Sequence, residues 1–197
     1  MGTTDVFDRT VAGLNAAHDR DPQRRHHDGR EQAVERVWCD SVAAWVGRLA
    51  PTASMALKVA AHAQHLERWL DPRSDWPAGR AGYLRWRKSQ QRRHAERAEE
   101  VMRAAGCEPA LIERVQQLIR KERLATDPEV ATLEDAACLA FLELDLDAFA
   151  ERHERVDVLR ILSKTWLKMS PQGQGAALAM NLTATSAGLI KEALEGA

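Results

Sequence analysis

Residues 31–49 read EQAVERVWCDSVAAWVGRL. Val34, Val37, Trp38, Val42, Trp45, Val46 and Leu49 recur there at three- and four-residue steps, the spacing of one apolar face on an α-helix. The same period governs the rest of the chain, and no convincing strand alternation interrupts it. Helices are expected over about 4–18, 31–49, 53–70, 81–105, 109–124, 132–150 and 154–169. A polar loop is expected at 19–30, and a break at 170–176, SPQGQG from Ser170 on, precedes weaker helical segments. Gly106 stands where a helix C-cap wants a left-handed residue. The expectation is an all-α fold, one compact domain over 1–197 with about seven to nine helices.

The totals set limits on function. The chain has 197 residues, 45% hydrophobic and 29% charged, with a formal net charge of -1. That suits one domain with a sizeable core and gives no global field toward nucleic acid or an anionic membrane. No apolar run reaches the roughly 18–20 residues that span a bilayer. The N-terminus carries acids and no signal-peptide core, and MGTT lacks the sixth-position hydroxyl of a myristoylation site. Cys39, Cys107 and Cys138 are far apart and odd in number, fitting neither a disulfide framework nor a zinc spacing. Reduced thiols in a cytoplasmic protein are expected.

Helical geometry turns several polar side chains inward. At about 100° per residue, His65 shares its arc with Ala61, His62 and Trp69, and His94 with Ala98, Val101 and Ala105. Glu122 falls on the stripe of Leu111, Val115 and Leu118. Asp135 falls amid Leu139, Leu142 and Leu146. Buried carboxylates are normally paired, protonated or metal-bound. His65, His94 and Asp135 thus make a candidate first shell for a divalent Zn, Mn or Fe ion, with Glu122 as general base or further ligand. Plainer readings stand beside these. Asp135 also suits the far end of a capping box begun by Thr132, Glu122 a solvated ion pair, and His62 a core histidine bonded to a backbone carbonyl. The HHD at 26–28 reads as an exposed loop.

Residues 67–94, ERWLDPRSDWPAGRAGYLRWRKSQQRRH, gather seven arginines, the only tyrosine and three of the six tryptophans. Arginine forks suit carboxylate or phosphate, and aromatic faces suit a ring or a guanidinium. Gln64, Arg68, Trp69, Arg73, Arg80, Tyr83, Trp86 and Arg87 are therefore candidates for binding a small anionic ligand. A solvated basic helix face over packed tryptophans is the alternative. The near-neutral total and the lack of a second basic stripe disfavour nucleic acid. GRAG at 79–82 has neither the lysine nor the preceding strand of a phosphate loop.

The phrases AQHLERW, DPRSDWP, RAGYLRWR, RHAE, LEDAACLAFLE and KTWLKMSPQGQGAAL resemble DUF4202, a family of bacterial and fungal proteins without an assigned activity. More distantly, the order of elements is similar to the HD phosphohydrolase superfamily. On that likeness Gln64 and His65 stand at the His-Asp pair, His94 at a further histidine and Asp135 at the late aspartate. The paired aspartate is missing, and no histidine occupies the usual place on the 31–49 helix. The likeness implies an HD-like metal-dependent phosphohydrolase with a degenerate ligand set, His62 or Glu122 contributing. The alternative is a binding module for an anionic metabolite or a protein partner that has lost the metal. An RNA-associated helical protein ranks third. A ferritin-like site is disfavoured because its ExxH pairs are absent. Self-association stays open.

Overall fold

The computed structural model describes residues 3–196; Met1, Gly2 and Ala197 lie outside, and with them the start of the MGTT read for lipidation. The expected all-α architecture is what it has. Among the described residues ten helices, α1 (Thr3–His18), α2 (Val34–Leu49), α3 (Met55–His62), α4 (Gly79–Ala104), α5 (Pro109–Ile119), α6 (Pro128–Leu144), α7 (Leu146–Arg152), α8 (Arg155–Trp166), α9 (Pro171–Leu178) and α10 (Ala184–Glu195), surround one continuous apolar core. None is long and apolar enough to cross a membrane.

Short α3 is the centre. Leu57, Val59, Ala60 and Ala61 are at most 1% exposed, and α3 packs against α1, α2, α5 and α6. Small side chains let four neighbours approach, while Leu14, Leu133 and Leu139, fully buried around it, each contribute about 1.5–3 kcal/mol. The Ser54 hydroxyl accepts the Leu57 N–H and starts the helix. At the end of α4, Gly106 (φ 83) takes the predicted left-handed position, and Cys107 N–H reaches back to Met102 O.

Five expectations are corrected. In place of the polar loop at 19–30 and the first residues of the 31–49 helix there is a hairpin: β1 (Arg24–His27) pairs antiparallel with β2 (Arg30–Ala33), turning at Asp28 and Gly29, both at positive φ. The Asp-Gly turn makes it, with no apolar alternation to announce it. The helix expected over 53–70 stops at His62, and that over 109–124 at Ile119. The segment 132–150 begins at Pro128, capped by Asp127, and splits at Asp145; Thr132 is mid-helix, its hydroxyl donating to Pro128 O. The break at 170–176 is instead the start of α9, with Ser170 as its cap.

Candidate functional site

The two early helix ends carry the chemistry. After α3 the chain has strong helix formers, yet His65 and Glu67 both take φ 56. Tertiary contacts hold them there: Glu67 accepts from Arg20 and forms an ion pair with Arg97 at 3.0 Å, while Leu66 is 2% exposed. After α5 the same happens at Lys121 (φ 56) and Arg123 (φ 58). The only other described non-glycine residue at positive φ is Asp28 of the hairpin turn. Left-handed backbone at non-glycine residues costs of order 1–3 kcal/mol each and gathers at functional sites.

These turns deliver side chains to a polar cluster with α2, α4 and α6. His65 Nδ1 lies 3.1 Å from Glu35 Oε2 and 3.1 Å from Arg68 Nη1. Its ring stacks on Trp38 at 4.5 Å and stands 6.2 Å from that of His94. The His94 Nε2 is buried without a hydrogen-bond partner. Lys121 pairs with Glu134, whose side chain is 4% exposed, and Lys168 lies 3.7 Å from the same carboxylate. His65 retains 23% side-chain exposure, which keeps the cluster within reach of solvent.

Burial and charge set the protonation of this group. Desolvation raises the Glu35 carboxyl to about 7, against the opposing pull of Arg68, His18 and Arg25. His65 is held well below the usual imidazole range by desolvation, then by Arg68, Lys121, His18 and Arg87. His94 is depressed likewise, by desolvation, His65 and Arg68. Glu134 stays ionised despite its burial because Lys121, Lys168 and Arg87 lower it. Two neutral imidazoles and a carboxyl that titrates near neutrality thus sit among fixed cations.

The structure sorts the sequence candidates. His65, His94 and Arg68 meet in the cluster, and Arg87 lies close enough to act on His65 and Glu134. Trp86 supports Arg68 from beneath, its ring 5.0 Å from the guanidinium and its N–H on Asp71 O at 2.9 Å. Trp69 is half-buried on a single 3-10 turn, and Arg80 and Tyr83 are exposed on the first turns of α4. Buried Gln64 bonds the Ala60 carbonyl at 3.2 Å. Arg73 is committed to closing its loop, donating to the carbonyls of Trp76, Pro77 and Gly79.

Two assignments fail on geometry. Because α5 ends at Ile119, Glu122 turns outward and pairs with Arg120 at 2.9 Å, 47% exposed; Lys121 is the residue of that turn that points inward. Asp135 holds the cap residue of α9, accepting Ser170 N–H at 2.9 Å and the Ser170 hydroxyl. His65, His94 and Asp135 therefore do not fit a shared metal ion. Among the described residues, the group whose donor atoms do lie within 4.8 Å of one another is Cys39, Asp40 and His62. His62 is also apart from His65, its carbonyl 2.9 Å from His18 Nε2.

Glu35 and His18 were missed. Glu35 lies on the arc of Cys39, Val42 and Val46, and His18 on that of Phe7, Val11 and Leu14, so the arc test applied elsewhere identifies both. A cavity of about 340 Å³ opens elsewhere, between Trp45, Arg48, Glu143, Asp147 and Thr183. Its carboxylates are internally satisfied, Glu143 by Ser41 and Trp45 and Asp147 by Thr183 and Ser186.

Fold and cluster together define an all-α domain in which helix ends bring histidine, carboxylate and arginine to one buried point. The chain belongs to the family described as domain of unknown function (DUF4202), whose model matches residues 8–190. Comparison with curated proteins and with solved structures gives no match.

Proposed function

We propose that the protein binds a small anionic, phosphate-bearing ligand beside His65 and acts on it by proton transfer through Glu35 and His65. The observation that supports this most is the chain Glu35–His65–Arg68, with both contacts on the same Nδ1. Arginine only donates; with His65 neutral, a protonated Glu35 donates to an unprotonated Nδ1, and Arg68 Nη1, 3.1 Å from Nδ1 and 3.5 Å from Nε2, places its positive charge beside the ring. An anion that engages Arg68 offsets this charge, and the proton passes from Glu35 to His65. The imidazolium so formed is a general acid beside the bound anion, and Glu35 becomes a carboxylate able to take a proton back. Arg68, Arg87 and Lys121 supply the fixed positive charge that an anion requires.

The distant likeness to HD phosphohydrolases gains a carboxylate, since Glu35 stands on the helix where that superfamily has a histidine. Its metal-dependent form is not carried over, because the expected ligands are not gathered. Titration calorimetry with inorganic phosphate and pyrophosphate tests the binding, and phosphate release from a panel of phosphomonoesters tests the chemistry. Saturable binding should weaken at least tenfold in Arg68→Ala, and turnover should vanish in Glu35→Gln with binding kept. Binding indifferent to both Arg68→Ala and Lys121→Ala overturns the proposal. Binding without turnover removes the proton-transfer half and leaves a binding module.

A further inference from the structure

Apart from the residues used above, Cys39, Asp40 and His62 place a sulfur, a carboxylate oxygen and an imidazole nitrogen within 4.8 Å of one another. We infer that these three residues form a binding site for a zinc-class divalent metal that ties α2 to the last residue of α3. The set is chemically specific: thiolate and imidazole favour zinc over magnesium, calcium or manganese, and three protein ligands plus a water complete a tetrahedron.

Two of the donors are prepared. His62 Nδ1 is buried without a hydrogen-bond partner, an arrangement that costs free energy unless something occupies the lone pair or the N–H. Arg36 Nε donates to Asp40 Oδ2 at 2.8 Å, which orients the carboxylate and leaves Oδ1 for the ion. The Cys39 thiol, fully buried, donates to Arg36 O at 3.3 Å. On binding, the S–H bond breaks, its proton leaves to solvent, and the thiolate electron pair goes to the metal, so one proton is released from Cys39 per ion. Bond lengths of about 2.0–2.3 Å require the donors to close by roughly 1 Å, within the reach of side-chain rotation. Cys39 and Asp40 are adjacent in sequence and His62 is far from them, which is why no ligand spacing announces the site.

The test is titration of the full chain with cobalt(II), followed by its thiolate charge-transfer absorption, with zinc(II) as competitor. One equivalent should saturate the band, zinc should abolish it, and saturating zinc should raise Tm by about 5 °C or more. Cys39→Ser should lose the band although Cys107 and Cys138 remain, His65→Ala should keep it, and Asp40→Asn, at a half-buried position that tolerates the change, should weaken cobalt binding at least tenfold. A stoichiometric band that survives in Cys39→Ser, or one lost in His65→Ala alone, overturns the assignment, as does the lack of any stoichiometric band. If Cys39→Ser does not fold, an unchanged affinity in Asp40→Asn overturns it equally.

Discussion

Replacing Glu35 by glutamine isolates the free energy stored in one buried carboxyl. The substitution keeps the shape, and the new amide can donate to His65 Nδ1 in place of the acid. In the folded protein the Glu35 pKa rises from 4.5 to about 7. A carboxyl raised on folding prefers the native state when protonated, so its favourable contribution is complete below about 4.5 and is lost as pH climbs through 7. A difference of about 2.5 in pKa corresponds to roughly 3 kcal/mol. The advantage of Glu35→Gln should therefore grow from roughly 1 kcal/mol at pH 5.5 to roughly 3 kcal/mol at pH 9. Urea unfolding of both proteins across that range measures it, and taking the difference cancels the buried histidines common to both. A variant whose advantage is flat with pH, or which is less stable than the parent at pH 9, refutes the reasoning.

Three further substitutions test the framework of the site. Gly82→Ala drives a Cβ into the Pro77 carbonyl and should cost about 3 kcal/mol or more in chemical denaturation, because the obstacle is backbone of the loop that Arg73 closes. Asp135→Ala strips α9 of the acceptor for Ser170 and should cost about 2 kcal/mol, while anion affinity in calorimetry stays unchanged. Arg123→Gly removes an exposed side chain at φ 58 and should gain about 0.5–1 kcal/mol in the urea midpoint, since relief of strain exceeds the extra freedom of the unfolded glycine.

The residues show where helical reasoning holds and where it stops. The apolar face of Val34 to Leu49 places α2 because nothing in its interior competes with the period. His94 is delivered as expected because α4 runs unbroken through it. The other site residues depend on where helices end, and neither QHLER nor KER contains a proline or glycine to mark the end. Long-range contacts do it instead: Glu67 to Arg20 and Arg97, and Lys121 to Glu134. Continuing the 109–124 helix past Ile119 turns Glu122 inward, and reading 170–176 as a break hides the Ser170 that occupies Asp135. His65 kept its place in the site for a reason its arc did not supply, the left-handed turn that aims it at Glu35. Glu35 itself was legible, and an acid at the centre of an apolar arc warrants the same scrutiny as a histidine there.

The central claim is that Glu35, His65 and Arg68 form one anion site governed by the Glu35 proton. Sulfate tests it most directly, because its charge is constant from pH 6 to 8.5 while, in the free protein, Glu35 ionises and His65 and His94 are already neutral. The account predicts saturable sulfate binding that weakens about tenfold across that range as the nearby carboxylate appears, and no such change in Glu35→Gln. Sulfate affinity independent of pH in the parent protein, or the same decline in Glu35→Gln, would contradict it.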